Sequence, residues 1–70
     1  MTAHVYRVTE IVGSSTSSLD DAITNGIARA AQSLRKIDWF EVTEIRGRAQ
    51  DGQIEHLQVG LKVGFRLEDA

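Results

Sequence analysis

The chain has no cysteine, which excludes disulfides and thiolate metal sites together. Its two histidines, His4 and His56, are too few to suggest a metal centre. No excess of basic residues is present: the formal net charge is −2 and the two signs are interspersed, unlike the basic footprint of a nucleic-acid binder. No apolar run approaches the ~20 residues that a membrane-spanning helix needs. No basic-then-apolar leader opens the sequence, so the expectation is a cytoplasmic protein without membrane or nucleic-acid partners. Length is short as well. Seventy residues make one domain, 1–70. A domain of this size buries only about 60% of its unfolded surface and is marginal alone. With disulfides and metals removed from the usual means of reinforcing small folds, homo-oligomerisation is what remains.

What the sequence does have is one long alternating run from Ile54 to Leu67. Leu57, Val59, Leu61, Val63, Phe65 and Leu67 occupy the odd positions and are all apolar. His56, Gln58, Gly60, Lys62, Gly64 and Arg66 occupy the even positions and none is strongly apolar. A period of two predicts a strand with one face in a core. At about 3.3 Å per residue it spans roughly 35 Å. Its even face carries two glycines that leave backbone bare, as where another chain or a flat ligand comes close. That face is where function is expected.

The remaining elements follow in order. His4 to Val12 is rich in β-branched and aromatic residues and reads as a first strand. Tyr6, Val8 and Val12 share one parity with Glu10, while Val5 and Ile11 share the other with Arg7 and Thr9, which suggests partial cover on both faces. Residues 13–18 (GSSTSS) break the pattern as a loop. Ser18 can cap a helix whose first turn carries Asp20 and Asp21. The helical stripe is Leu19, Ala22, Ile23, Gly26, Ile27, Ala30, Ala31 and Leu34, with Arg35 and Lys36 expected at the C-terminal end. Its small residues predict close packing on the sheet. Trp39 to Arg46 reads as the second strand, with Phe40 and Val42 on one face and Trp39, Glu41, Thr43 and Ile45 on the other. Residues 47–53 form the connection, with Asp51-Gly52 as a tight-turn signal. The order β-α-β-β predicts an α+β layer pair with a three-stranded antiparallel sheet against one helix.

Few residues carry recognisable chemistry. Trp39, the only tryptophan, faces away from the helix if Phe40 faces it; it then packs in a subunit interface or serves as a stacking platform for a planar ligand. Gln58 lies on the non-core face of the third strand. Its amide suits the edge of a heterocycle, or it is simply solvated. Arg46 and Arg66, at strand ends, can fork onto phosphate or carboxylate, or make exposed ion pairs worth little. Arg29 and Lys36 are expected on the solvated side of the helix. Glu41 and Glu44, on alternate faces by parity, form no carboxylate pair. No nucleophile elbow or phosphate loop is present.

Asp38-Trp39-Phe40-Glu41-Val42, followed by Ile45-Arg46-Gly47, resembles the dodecin family. The likeness extends through Tyr6-Arg7-Val8 and Glu10 to Ser15 at the front and Ala28-Arg29-Ala30 in the helix. It closes with Gln58-Val59 and Val63 to Glu68. The resemblance implies a β-α-β-β subunit whose sheet partly wraps the helix. Twelve such subunits would form a hollow dodecamer binding flavins in stacked pairs between symmetry-related tryptophans. By position, Trp39 matches the stacking tryptophan and Gln58 the glutamine at the pyrimidine edge. Asp38 and Arg46 match residues lining the flavin site. Arg66 matches a basic residue associated with phosphate contacts, including those of coenzyme A, with Arg29 as a further candidate. FMN is the flavin implied, with riboflavin as the alternative and coenzyme A as an additional ligand. The serine-rich loop at 14–18 departs from the family pattern.

The function expected is therefore non-enzymatic: FMN storage or buffering in a dodecameric shell that protects the flavin from photochemistry. The alternatives are a small flavin-dependent oxidoreductase and a ligand-free structural shell.

Overall fold

A computed structural model describes residues 3–67. Strand β1 (Tyr6–Ser15), helix α1 (Leu19–Ala30), strand β2 (Ile37–Gln50) and strand β3 (Gln53–Arg66) follow one another in the chain. The sheet order is β1-β3-β2, antiparallel throughout, so β3 is the central strand. Glu68 of the terminal motif lies outside the described residues. Among the described residues, no helix is long and apolar enough to cross a membrane.

Alternation in β3 places its odd side chains against the helix. Val59, Leu61 and Val63 are buried, and Leu57 and Phe65 half-buried. Val59 and Leu61 form the core with Ala22, flanked by Ile11, Ile23 and Ile27. The helix approaches because its stripe is small where it meets β1. A Cβ on Gly13 would stand 2.1 Å from the Ala22 carbonyl oxygen, and one on Gly26 would stand 3.3 Å from the Gly13 Cα. Ser18 caps the helix as expected, its hydroxyl accepting from the Asp21 N–H at 3.0 Å. Ser15 ties the preceding loop together: its hydroxyl donates to Asp21 and accepts from the Ser17 and Ser18 N–H groups.

Strand β1 runs from Tyr6 on to Ser15, so the loop expected at 13–18 shrinks to residues 16–18. Three further features differ from expectation. The helix ends at Ala30, so Arg35 and Lys36 lie beyond it and Arg29 is the base in its last turn. The ladder tightens there, with Gln32 N–H bonding to Arg29 and Ser33 N–H to Ala30, and Lys36 at φ 60° reverses the chain. Strand β2 runs to Gln50 rather than Arg46. The connection shrinks to Asp51 and Gly52, whose φ values of 54° and 76° are those of a two-residue I′ turn. The third difference is an irregularity between Val42 and Glu44. An extra residue, Thr43, reverses parity along β2, because it has no partner in the ladder. Ile45, opposite Val59, thus shares the helix side with Phe40 and Val42. Glu41 and Glu44, opposite Lys62 and Gly60, share the other side instead of alternating.

The helix lies over β1 and β3 and does not extend over β2. All of β2 beyond Ile37 is exposed, including Phe40 at 49% and Ile45 at 57%. On β1, Tyr6, Val8 and Val12 are also exposed, so the cover expected on both faces is absent from the single chain. The radius of gyration is 14.7 Å. A compact chain of this length would have about 11 Å. The subunit is an elongated slab.

Candidate functional site

The sheet face turned away from the helix is built in rows by the strand register. Opposite residues share a face, so Val8, Gly64 and Trp39 form one row and Glu10, Lys62 and Glu41 the next. Ser14, Gln58 and Arg46 form another towards the far end. Trp39, Gln58 and Arg46 therefore share this open face, as does Arg66, which pairs with Tyr6.

Trp39 lies across the central strand. A Cβ on Gly64 would stand 2.1 Å from its Cε2, 2.3 Å from Cζ2 and 2.6 Å from Cδ2, so the indole fills the space a side chain would take. The bareness noticed in the sequence is thus occupied by the chain's own tryptophan. Trp39 nevertheless remains 39% exposed. Tyr6 meets it edge-on, with ring centroids 6.3 Å apart and an interplanar angle of 60°. The Tyr6 hydroxyl donates to Asp38 Oδ2 at 3.0 Å. That hydrogen bond holds the phenol pKa above its ordinary value, reinforced by partial desolvation and the Asp38 charge and opposed by Arg66.

At the other end, Arg46 Nε donates to Gln58 Oε1 at 3.0 Å, and its guanidinium also pairs with Glu44. Arginine can only donate, so this contact orients the amide. The carbonyl oxygen of Gln58 is turned to Arg46 and its NH₂ group is left to offer donors. The paired donor and acceptor foreseen from sequence thus becomes mainly a donor.

Between these ends the site is long. Trp39 is opposite Gly64 and Arg46 opposite Gln58, six residues along β3. That separation is about 20 Å, more than a tricyclic ring can bridge. The structure brings Tyr6 to Trp39 and Asp38, and Gln58 to Arg46, but does not bring the two groups together within one chain. Arg66 stands at the Trp39 end, with its Nη1 3.5 Å from His4 Nε2. Arg29 is not on this face. It bonds Gln32 and lines a groove of about 710 Å³ between the helix and β1, with Ile11, Asn25 and Leu34. Lys36, grouped with Arg29 in the sequence reading, lies beyond the helix.

Sequence reasoning missed Tyr6 and the role of Gly64 beneath the indole. The parity that put Tyr6 on the same face as Val8 was the available signal, but the register was needed to set it beside Trp39.

The dodecin family model matches residues 5–68. The chain belongs to the dodecin family. A dodecin from Thermus thermophilus is 49% identical over 65 residues, covering 93% of this chain and 94% of its own. The structure of the dodecin from Streptomyces davaonensis superposes with a TM-score of 0.92 at 59% identity, over 97% of this chain and 100% of the other. A more distant structure, calcium dodecin from Mycobacterium tuberculosis, is 28% identical with a TM-score of 0.78 over 94% of each chain; it is described as calcium-chelating, with a novel calcium-binding site. Dodecins are homo-oligomers. The exposed β2 of this dodecin subunit accords with that state.

Proposed function

We propose that the protein binds and stores flavin, FMN foremost, in a homo-dodecameric shell, and that it is not an enzyme. The observation that carries this reading is the indole of Trp39, backed by the bare Gly64 backbone and still 39% exposed on the open sheet face. Such an aromatic surface suits a planar heterocycle, and stacking on a base-like ring is worth about 1–3 kcal/mol. A bound flavin supplies a redox-active, light-absorbing ring, and contact with an indole gives its excited state a fast quenching route.

The chain's own residues divide the remaining work. Gln58, turned by Arg46, offers NH donors to carbonyl acceptors on the ligand edge. Because it stands about 20 Å from Trp39 of the same chain, the stacking and edge contacts come from different subunits, which makes assembly a condition of binding. Arg66, near Trp39, and Arg46, beside Gln58, are the cations available to a ligand phosphate on this face. Riboflavin would use the same stacking surface without that contact. Coenzyme A, as a further ligand, would draw on the same arginines; Arg29 could serve it only from the groove by the helix. Asp38 contributes through Tyr6 and by its place beside the indole.

Among the described residues of one chain, no three carboxylate or histidine side chains gather as a cation site. The test is a fluorescence titration of the assembled protein with FMN. Wild type is expected to quench the flavin, and Trp39→Ala to lose tight binding while light scattering still reports the assembly. Undiminished quenching by Trp39→Ala would sink the reading. Steady turnover of reduced nicotinamide by the FMN-loaded protein would favour an oxidoreductase instead.

A further inference from the structure

Trp39 stands near the start of an edge strand, β2, and three features around it hold its indole. Gly64 beneath it lacks the Cβ that would stand 2.1 Å from the ring, so the indole settles on the backbone of β3. Tyr6, from the strand on the far side of β3, meets the ring edge-on at 6.3 Å. Tyr6 is itself anchored, because its hydroxyl donates to Asp38, the neighbour of Trp39. Asp38 falls at the irregularity between Ile37 and Trp39, where the ladder carries one residue without a partner. Such an extra residue re-aims the side chains next to it. The closed circuit Trp39–Tyr6–Asp38 thus bridges the two outer strands across the middle one.

We propose that Tyr6 and Gly64 are positioning residues for Trp39: Gly64 sets the depth of the indole and Tyr6 sets its plane, so that the outer ring face is ready before any ligand arrives. This rests on the stacking role given to Trp39 above. Neither residue needs to touch the ligand. A ring held in one orientation loses less rotamer freedom on binding than a free one. An edge-to-face aromatic pair accounts for roughly a two- to tenfold effect on an equilibrium.

The experiment compares assembled wild type with Tyr6→Leu, Tyr6→Phe and Gly64→Ala, first without ligand and then with FMN. The protein has one tryptophan, so the fluorescence anisotropy decay of indole, excited beyond the absorption of its single tyrosine, reports this side chain alone. Tyr6→Leu is expected to speed the local depolarisation of the indole and lower FMN affinity by roughly two- to tenfold. Tyr6→Phe keeps the ring and loses the hydrogen bond, so most of the indole signature and the affinity return. Gly64→Ala displaces the ring and is expected to cost more affinity than Tyr6→Leu. If Gly64→Ala does not assemble, the two Tyr6 variants decide the matter. An indole signature in ligand-free Tyr6→Leu identical to wild type overturns the proposal, because the ring would then be held by something other than Tyr6. An altered signature with no FMN binding even by wild type upholds the positioning and refutes the flavin reading, so the two failures are distinct.

Discussion

Two parts of this small subunit carry similar amounts of apolar side chain and meet opposite fates. In β3, Val59, Leu61 and Val63 are almost wholly buried. In β2, Phe40, Val42 and Ile45 point to the same side of the sheet, yet are between 39% and 57% exposed. The difference is the reach of one twelve-residue helix, which covers β1 and β3 and leaves β2 bare. An apolar face of this kind on a small chain marks a surface that another subunit covers. The covered half specifies the fold of the monomer, and the bare half specifies that the monomer has partners.

Substitutions should separate these halves. Leu61→Ala empties the centre of the core and is expected to cost about 2–5 kcal/mol of stability in urea unfolding. Phe40→Ala is expected to act on assembly: if a neighbouring subunit buries it, its loss removes about 1.5–3 kcal/mol per subunit. Light scattering through a dilution series would then show dissociation at higher concentration than wild type, with subunit secondary structure retained. Equal effects of both substitutions on assembly and folding would break the contrast.

The contrast can be sharpened on the open face. FMN is expected to bind about tenfold or more tightly than riboflavin, since a charge-assisted arginine bond contributes about 1.5–3 kcal/mol when shielded. The margin should shrink as salt rises. Arg66→Ala and Arg46→Ala, titrated with both flavins, assign the phosphate contact. Because Arg46 also orients Gln58, its loss should weaken riboflavin as well, whereas loss of Arg66 should weaken FMN alone. Equal affinity of wild type for the two flavins at low salt would leave the phosphate in solvent. At the hairpin tip, Gly52→Ala places a side chain at φ 76° and should cost about 1 kcal/mol without altering ligand binding.

The smallest effect concerns pH. Tyr6 titrates above its ordinary value of 10.0 in the folded chain. A raised pKa means the protonated phenol is favoured by folding, so its contribution is fully present below pH 10 and is lost as pH rises through the folded value. The stability difference between wild type and Tyr6→Phe, followed by thermal unfolding, should therefore shrink at high pH. A difference that grew with alkalinity would contradict the Tyr6–Asp38 hydrogen bond.

Much of the architecture is legible without coordinates because it rests on short-range chemistry. Strict alternation marked β3 and its buried face. Ser18 before an acidic first turn marked the helix start, and Asp51-Gly52 marked a turn needing two positive φ values. The Trp39 block and the terminal block pointed to the family. The helix end was misplaced because the small apolar residues continue past Ala30, whereas the ladder tightens and Lys36 reverses the chain.

Tertiary structure alone decided the layout of the open face. Parity counting set Glu41 and Glu44 apart and put Ile45 with Trp39; the extra residue at Thr43 reversed both. A bulge is a property of hydrogen bonding between strands, and no periodicity within one strand records it. Tyr6 and Trp39 are far apart in the chain and meet only because β3 lies between their strands in one particular register. The same register sets Trp39 and Gln58 about 20 Å apart. The sequence by itself determined which side chains could stack, donate and bear charge. The register determined that one chain holds only half of any site requiring them together.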